Sequence, residues 1–490
     1  MTFPSANTVS PIGSHRFGPD DQQRFATLTG DTNPMHLDAV AARRLLTGQL
    51  VVHGVHTLLA ALNRLAPTLA PGADHLDCDF VNSVGVGDAL DFGLDDSDDA
   101  SLVLSASVRG LTCTRVALGR SRSAGASATP DLHATAAGAE LWAAPSLAID
   151  LAPQSWVGRT LRLALPAANF ASDFPGASAR FGERRVAAMG LLSTFVGMVC
   201  PGLNSVFSSL TLSLAPDDPQ LYFRVEKFDR RFGLFWVSFD GCIRGQLRAF
   251  LRPPPQPQPS TRDLLDRVTA DQFRGTQSWV IGGSRGLGEL SAKLIAAGGG
   301  DVNITYAAGA ADAVRVADDI NRSGRGRAKA TALDVCRDDF AAVLRAAPLP
   351  QAVFYFATPR IFRKKAGVFN PLLYAEFTDF YCTRFQALCL ALEAVSEEQA
   401  SPTLIKVFVP STVFIDERPR GMTEYAMAKA AAELLCVDLQ RGLRHVSFVV
   451  QRLPRLETDQ TATILATKHA SNIDTLLPIV QAMLAPTRAG

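Results

Sequence analysis

The chain lacks an excess of charge of either sign. Its 48 Lys and Arg residues face 47 Asp and Glu, a formal net charge of +1. That balance removes the electrostatic case for a nucleic-acid partner or an anionic membrane acting over the whole surface. Local basic runs, Arg184-Arg185, Arg230-Arg231 and Arg363-Lys364-Lys365, read as solvated faces or as docking points for phosphate or an acidic protein. Cysteine is sparse: the eight residues include no C-x-x-C pair and no histidine at metal-ligand spacing. No metal is therefore expected, and the thiols read as reduced and mostly buried. Long apolar runs are missing too. The longest, "LLSTFVGMVCPGL", is too short to span a bilayer, and "MTFPSANTVSPIGSHRF" lacks a basic flank followed by an apolar stretch. These absences exclude a membrane partner and imply a cytoplasmic address.

What is present is a chain able to bury large cores. With 490 residues, 47% of them hydrophobic and 19% charged, two or three globular domains are expected. Two composition shifts divide it. The first is the Ala/Ser/Gly-rich "SRSAGASATPDLHATAAGAE", and the second is the proline run "LRPPPQPQPSTRD" at 251–263, which favours an extended linker. The resulting segments are 1–120, a connector at 121–153, 154–252, a linker at 253–273, and 274–490.

In the first segment a helical run, "HTLLAALNRLA", precedes the alternating "HLDCDFV", "DALDFGL", "SLVLSASV" and "TCTRVAL". This is an α+β unit with an antiparallel sheet beside a helix. The third segment repeats the order, with "VAAMGLLSTFVGMV" followed by four strand-like stretches, so two similar units are expected to cover each other's apolar face. After the proline run, apolar stretches such as "SWVIGG", "DVNITYA" and "TLIKVFVPS" alternate with amphipathic helices. That texture indicates a parallel sheet covered on both faces.

"VIGGSRGLGE" (280–289) follows an expected strand and opens a helix. Gly282, Gly286 and Gly288 permit a tight turn and close backbone approach, so a diphosphate can lie against the helix N-terminus. Downstream, Tyr425 and Lys429 are four apart and share a helix face, with the hydroxyl pair Ser411-Thr412 at a strand end before them. A phenol needs a nearby ammonium to act as acid–base near neutral pH, and a hydroxyl to hold the substrate oxygen. Over 274–490 the chain resembles the short-chain dehydrogenase/reductase family. The resemblance implies Tyr425 as acid–base, Lys429 as its pKa tuner and ribose ligand, and either Ser411 or Thr412 as the substrate-holding hydroxyl. It also implies cofactor contacts from Gly282, Ser284, Arg285, Gly286, Leu287, Gly288 and Asp334. Two departures stand out: "YFATPR" (355–360) replaces the family's Asn-Asn-Ala-Gly, and its helical asparagine is not evident in "FTDFYCTRFQAL". Either the proton relay is altered or this branch manages without it. "NITYAAGAADA" has no acid placed to bind both ribose hydroxyls, and Arg285 is available to a 2′-phosphate, which favours NADPH.

"LTGDTNPMH" (28–36), with "VVHG" (51–54) downstream, resembles the MaoC-like, or hydratase 2, branch of hot-dog-fold enzymes. The resemblance implies that Asp31 and His36 hold the catalytic water and that the Gly54 N–H binds the thioester carbonyl. Asn33 and Pro34 would hold the loop. The plainer alternative is that Asp31 or Thr32 caps a helix and His36 lies in a partly buried loop.

Together these readings imply an α+β double hot dog followed by an α/β Rossmann-type doubly wound parallel sheet. The function implied is a bifunctional ketoreductase/dehydratase acting on 3-oxoacyl thioesters of an acyl carrier protein or coenzyme A, as a dimer or tetramer. The alternatives are the same pair run in the β-oxidation direction, or a dehydratase carrying a non-catalytic reductase-like domain.

Overall fold

The computed structural model describes residues 10–485 except 46–47, 66–67, 70–71, 96–101, 121–131, 133–139, 144, 362–368, 402, 460 and 462–469. Arg363-Lys364-Lys365 and most of the 121–153 connector lie outside the described residues. The chain divides into two units, the first ending at Pro254 and the second starting at Pro255.

The first unit is built on one sheet of eleven strands. These are β1 (Ser10–Arg16), β2 (His75–Phe80), β3 (Ala89–Asp95), β4 (Leu102–Val108), β5 (Leu111–Gly119), β6 (Glu140–Trp142), β7 (Thr160–Ala164), β8 (Ser205–Leu214), β9 (Gln220–Asp229), β10 (Leu234–Gly241) and β11 (Ile243–Leu251). The spatial order is β1-β3-β4-β5-β2-β8-β11-β10-β9-β7-β6. Read outward from the antiparallel β2–β8 pair, where Cys78 lies opposite Leu210, the first five strands of each half follow the same order, and β6 is an additional edge strand of the second half. Strict alternation makes β4 one-sided: Leu102, Leu104, Ala106 and Val108 are buried while the residues between them are not.

Two apolar helices cover the buried face. Every residue from Val55 to Leu62 of the Gly54–Leu62 helix is buried, as expected of a helix apolar all round. The Glu183–Thr194 helix packs on it and runs into a π-helical turn, Phe195–Val199. Neither half has a core of its own, because residues from both, Phe17 and Leu58 through Phe195 and Leu247, form one cluster.

The second unit contains β12 (Gln277–Ile281), β13 (Asp301–Tyr306), β14 (Ala328–Ala332), β15 (Ala352–Tyr355), β16 (Ile405–Thr412) and β17 (Val446–Leu453). All neighbours are parallel, in the order β14-β13-β12-β15-β16-β17. This is the doubly wound dinucleotide-fold order, whose ligand crevice lies where the order reverses, between β12 and β15. Separate apolar clusters cover the two faces, one with the Gly286–Ala297 and Asn472–Leu484 helices, the other with the Arg384–Glu398 and Thr423–Gly442 helices.

The expected linker at 253–273 belongs to this unit instead. Leu264, Val268 and Phe273 are core residues. Lys293, 2% exposed, donates to the Pro259 carbonyl at 2.8 Å and pairs with Glu289 at 2.8 Å and Asp319 at 3.3 Å. Thr261 donates to the same Asp319 carboxylate through its N–H and hydroxyl. A proline-rich composition predicts extension, but buried apolar residues and a buried ammonium decide where the extended segment lies. Among the elements that escaped the sequence pattern are β1, the Pro19–Thr29 helix and β14. Neither strand has a buried residue or an apolar alternation. No helix among the described residues is long and apolar enough to cross a membrane.

Candidate active sites

The acid–histidine loop of the first unit is held by its neighbours on every side. The Pro19–Thr29 helix ends at Gly30, whose φ of 87° needs a glycine. The cap of the following turn, Pro34–Leu37, is Asn33, whose side chain accepts from the Met35 N–H; neither Asp31 nor Thr32 caps it. The Asn33 amide also donates to the Gly197 carbonyl at 2.7 Å. Thr194 donates to the Thr29 carbonyl at 2.7 Å. Both tethers come from the helix of the other half.

Asp31 is 1% exposed. Its Oδ2 accepts from the Ser193 hydroxyl at 2.6 Å, and its Oδ1 accepts from the Asn33 N–H at 3.3 Å. Burial pushes the Asp31 carboxyl above its usual range, against the opposing pull of His36 and these two donors. Gly197 leaves room for it: a Cβ there would sit 2.4 and 2.7 Å from the two carboxylate oxygens.

His36 points Nδ1 at the Val51 carbonyl, 2.8 Å away. A carbonyl only accepts, so Nδ1 carries the proton and Nε2 is the basic nitrogen. Burial, reinforced by His53, lowers the His36 pKa to about 3, so the ring is neutral. His53 stacks on His36 with centroids 3.7 Å apart. Its Nδ1 meets Gln22 Oε1 at 2.9 Å and its Nε2 meets the Asp31 carbonyl at 3.0 Å. Burial lowers its pKa to about 3 as well, so the neutral ring donates to one of these acceptors at a time. Asp31, His36 and His53 bring one ligand atom each within 4.8 Å of one another. The nitrogens of His53 and Nδ1 of His36 are already engaged with protein groups, however, so this set offers a cation few open donors.

Gly54 opens its helix directly after His53, and its N–H belongs to the first turn, which has no intrahelical acceptor. The Phe80 ring lies 3.2 Å from where a Gly54 Cβ would be. Asp31, His36, Asn33 and Gly54 are thus collected into one region. His53, Gln22, Ser193 and Gly197 join them without having been singled out from sequence. His53 stood in plain view in "VVHG", and Ser193-Thr194 interrupt an otherwise apolar run.

In the second unit β12 ends at Gly282, with φ 78°, and the helix starts at Gly286, with φ 58°. A Cβ at Gly282 would meet the Ala357 N at 3.0 Å, and one at Gly288 the Gly282 carbonyl at 2.4 Å. This cradle fits a dinucleotide diphosphate, held by backbone N–H groups of the 282–288 turn. Ser284 is buried, and Leu287 packs on the core. Arg285 departs from expectation: its guanidinium pairs with Asp459, so in this arrangement it is not turned to a 2′-phosphate. Burial raises the Asp459 carboxyl, and Arg285 and the Gln256 N–H oppose that rise. Asp334, past the end of β14, builds its own turn by accepting from Cys336 N at 3.0 Å.

Tyr425 and Lys429 lie on one face of the Thr423–Gly442 helix, both buried. The side-chain hydroxyl that acts on the Tyr425 phenol, drawing its pKa down, is that of Thr412; its oxygen also accepts from the Phe414 N–H at 3.2 Å. Ser411 turns away and donates to Glu433, which Arg452 holds in turn. Of the two hydroxyls, Thr412 is therefore the one beside the tyrosine. Burial lowers the Lys429 pKa to about 7, and its Nζ donates to the Pro410 carbonyl at 2.8 Å. The same Nζ sits 3.8 Å from the centroid of Tyr381, a cation–π distance. Tyr381 lies in a π-helical turn, Asp379–Thr383, and its hydroxyl meets that of Thr358. Burial raises the Tyr425 phenol and Thr412 opposes that rise, while the Lys429 Nζ lies 5.9 Å from the Tyr425 ring centroid.

A family model described as "MaoC like domain" matches residues 3–108. No curated protein matches the chain. Similar solved structures include a short chain dehydrogenase from Salmonella enterica subsp. enterica serovar Typhi str. CT18, 17% identical, covering 44% of this chain and 92% of its own, TM-score 0.38. A short-chain dehydrogenase/reductase from Serratia marcescens BCRC 10948 is 19% identical, covering 44% and 92%, TM-score 0.37. A 3-oxoacyl (acyl-carrier-protein) reductase from Agrobacterium tumefaciens C58 with NADP bound is 18% identical, covering 38% and 73%, TM-score 0.34.

Proposed function

We propose that the chain is a bifunctional ketoreductase and dehydratase. It reduces a 3-oxoacyl thioester to the 3-hydroxyacyl thioester and then removes water to give the 2-enoyl thioester, on an acyl carrier protein or coenzyme A. The carrying observation is a neutral His36, its Nδ1 proton committed to Val51, beside a buried Asp31 carboxyl. The match to the MaoC-like model over this stretch supports the same reading. We read the first unit as a double hot dog, supported by the matching order of the first five strands in its halves.

In the dehydration, His36 Nε2 takes the proton from C2 of the 3-hydroxyacyl thioester. The C3–O bond breaks, and Asp31 gives its proton to the leaving oxygen, releasing water. Burial of Asp31 favours the protonated acid this step needs. The Gly54 N–H accommodates charge on the thioester oxygen. Transfer of the proton from His36 to Asp31 restores the starting state.

For the reduction, the backbone N–H groups of the 282–288 turn would hold the diphosphate of NADPH, which would supply hydride. Tyr425 delivers the proton to the carbonyl oxygen, with Thr412 orienting the phenol. NADPH rather than NADH is favoured by the stretch after β13, where Tyr306 to Gly309 offer no carboxylate to the ribose.

One observation favours a second reading for this unit. Tyr425 is raised by burial while Lys429 is occupied by Pro410 and Tyr381, which suits a domain that binds nucleotide without catalysis. Product analysis separates the readings. Acetoacetyl thioester with NADPH gives enoyl product if the biosynthetic reading is right. Faster NADH formation from crotonyl thioester with NAD reverses the direction. Oxidation of NADPH absent in the wild type, or unaltered in Tyr425→Phe, leaves only the binding domain. Hydration unaltered in both Asp31→Asn and His36→Ala defeats the dehydratase.

A further inference from the structure

The geometry points to Ser193, supplied by the half without an acid–histidine loop, as a positioning residue for Asp31 in the dehydratase reaction, a proposal that rests on the dehydratase reading above. The Ser193 hydroxyl donates to Asp31 Oδ2 at 2.6 Å. With Oδ2 taken, Oδ1 is the oxygen left to exchange a proton with substrate. Oδ1 accepts only the longer 3.3 Å bond from Asn33 N. The seat of the carboxylate on the helix side depends on Gly197, where a Cβ would lie 2.4 and 2.7 Å from its two oxygens. Asn33 ties the loop to the Gly197 carbonyl, so the same turn that makes room for the acid also anchors its loop. Phe195–Val199 is a π-helical turn, a local irregularity that recurs at functional sites. The second half is therefore a working part of the site in the first, as well as a wall beside it.

The titratable groups facing the Asp31 carboxylate are His36 and His53. In the hydration direction the dehydration steps run backwards: the Asp31 proton passes to His36, Asp31 as carboxylate takes a proton from the attacking water, and His36 gives its proton to C2. A hydrogen bond to the charged form favours it, so losing the Ser193 donor moves the Asp31 titration to higher pH. Ser193→Ala in the full chain is expected to lower kcat for crotonyl thioester hydration roughly 10- to 100-fold, the kinetic equivalent of one hydrogen bond to a charged group. KM changes little, and the limb on which rate falls with rising pH, where Asp31 loses the proton that C2 must receive, moves upward. Ser193→Thr restores the hydroxyl and returns the limb toward its wild-type position. Thr194→Val removes an equally buried bond, to the Thr29 carbonyl, and leaves the limb in place. Equal shifts in Ser193→Ala and Thr194→Val overturn the proposal, as does no shift in Ser193→Ala. If the wild type hydrates nothing, the dehydratase reading fails separately. Carbon-13 NMR of the Asp31 carboxyl, assigned by its loss in Asp31→Asn, then decides on Ser193: an unchanged titration midpoint in Ser193→Ala rejects its role.

Discussion

His36 lies stacked on His53, ring centroids 3.7 Å apart and planes 24° apart, and both rings are buried. Two imidazoles in that contact cannot both carry charge, and burial holds each far below the ordinary 6.5, at about 3. The first unit therefore keeps two neutral histidines beside its acid.

Stability follows from that pair. Between pH 6.5 and about 3 the unfolded chain binds protons at His36 and His53 that the folded chain refuses. The unfolded state binds more protons, so stability rises with pH across this window and is lost on acidification through it. Calorimetry at pH 7, 6 and 5 is expected to show the first unit's transition falling. His53→Gln flattens the fall, and an unchanged slope in that variant contradicts the assignment.

Gly197→Ala tests the space around Asp31. Its Cβ would lie 2.4 Å from Oδ1, so the carboxylate must shift. A displacement of this order costs roughly 100-fold in rate. Hydration kinetics are expected to show that loss in kcat, with NADPH oxidation by the second unit unaffected. Wild-type hydration by the variant argues against Asp31 as the acid.

The two strand-end hydroxyls of the second unit are not equivalent. Thr412 is the hydroxyl that acts on the Tyr425 phenol, whereas Ser411 donates to Glu433. Thr412→Val is expected to reduce ketone reduction by roughly 100-fold or more, the scale of a lost acid–base or oxyanion contact. Ser411→Ala should cost less than about 10-fold. Single-turnover NADPH oxidation compares them, and the reverse ranking would exchange their roles.

Arg285 is paired with Asp459, so a 2′-phosphate must compete with that carboxylate. Asp459→Asn removes the competitor. Fluorescence titration is expected to show NADPH binding tightened several-fold, roughly 1 kcal/mol, with NADH little altered. Equal changes for both dinucleotides would show that Arg285 does not read the phosphate.

Much of the second unit was legible because its elements are local. The β12 strand, the glycine turn and the Gly286–Ala297 helix each declare themselves by apolar runs, positive-φ positions and period. The exposed edges β1 and β14 were not, since a strand with little buried surface imposes little pattern. Proline content suggested a linker where Leu264, Val268 and Phe273 enter a core. Composition reports conformational preference, and only packing reports position.

By itself the sequence determined the pieces whose chemistry is written in short spacings: Asp31 with His36 around an Asn-Pro turn, the helix start at Gly54, the glycine turn, and Tyr425 four residues before Lys429. Tertiary structure decided which groups meet them. It brought Ser193 and Gly197 from some 160 residues away to Asp31, laid His53 on His36, chose Thr412 over Ser411, and gave Arg285 to Asp459. Spacing along a chain constrains only neighbours within a turn or a strand. Burial, which shifts Asp31, His36, His53 and Asp459 from their ordinary pKa values, is a property of the packed whole.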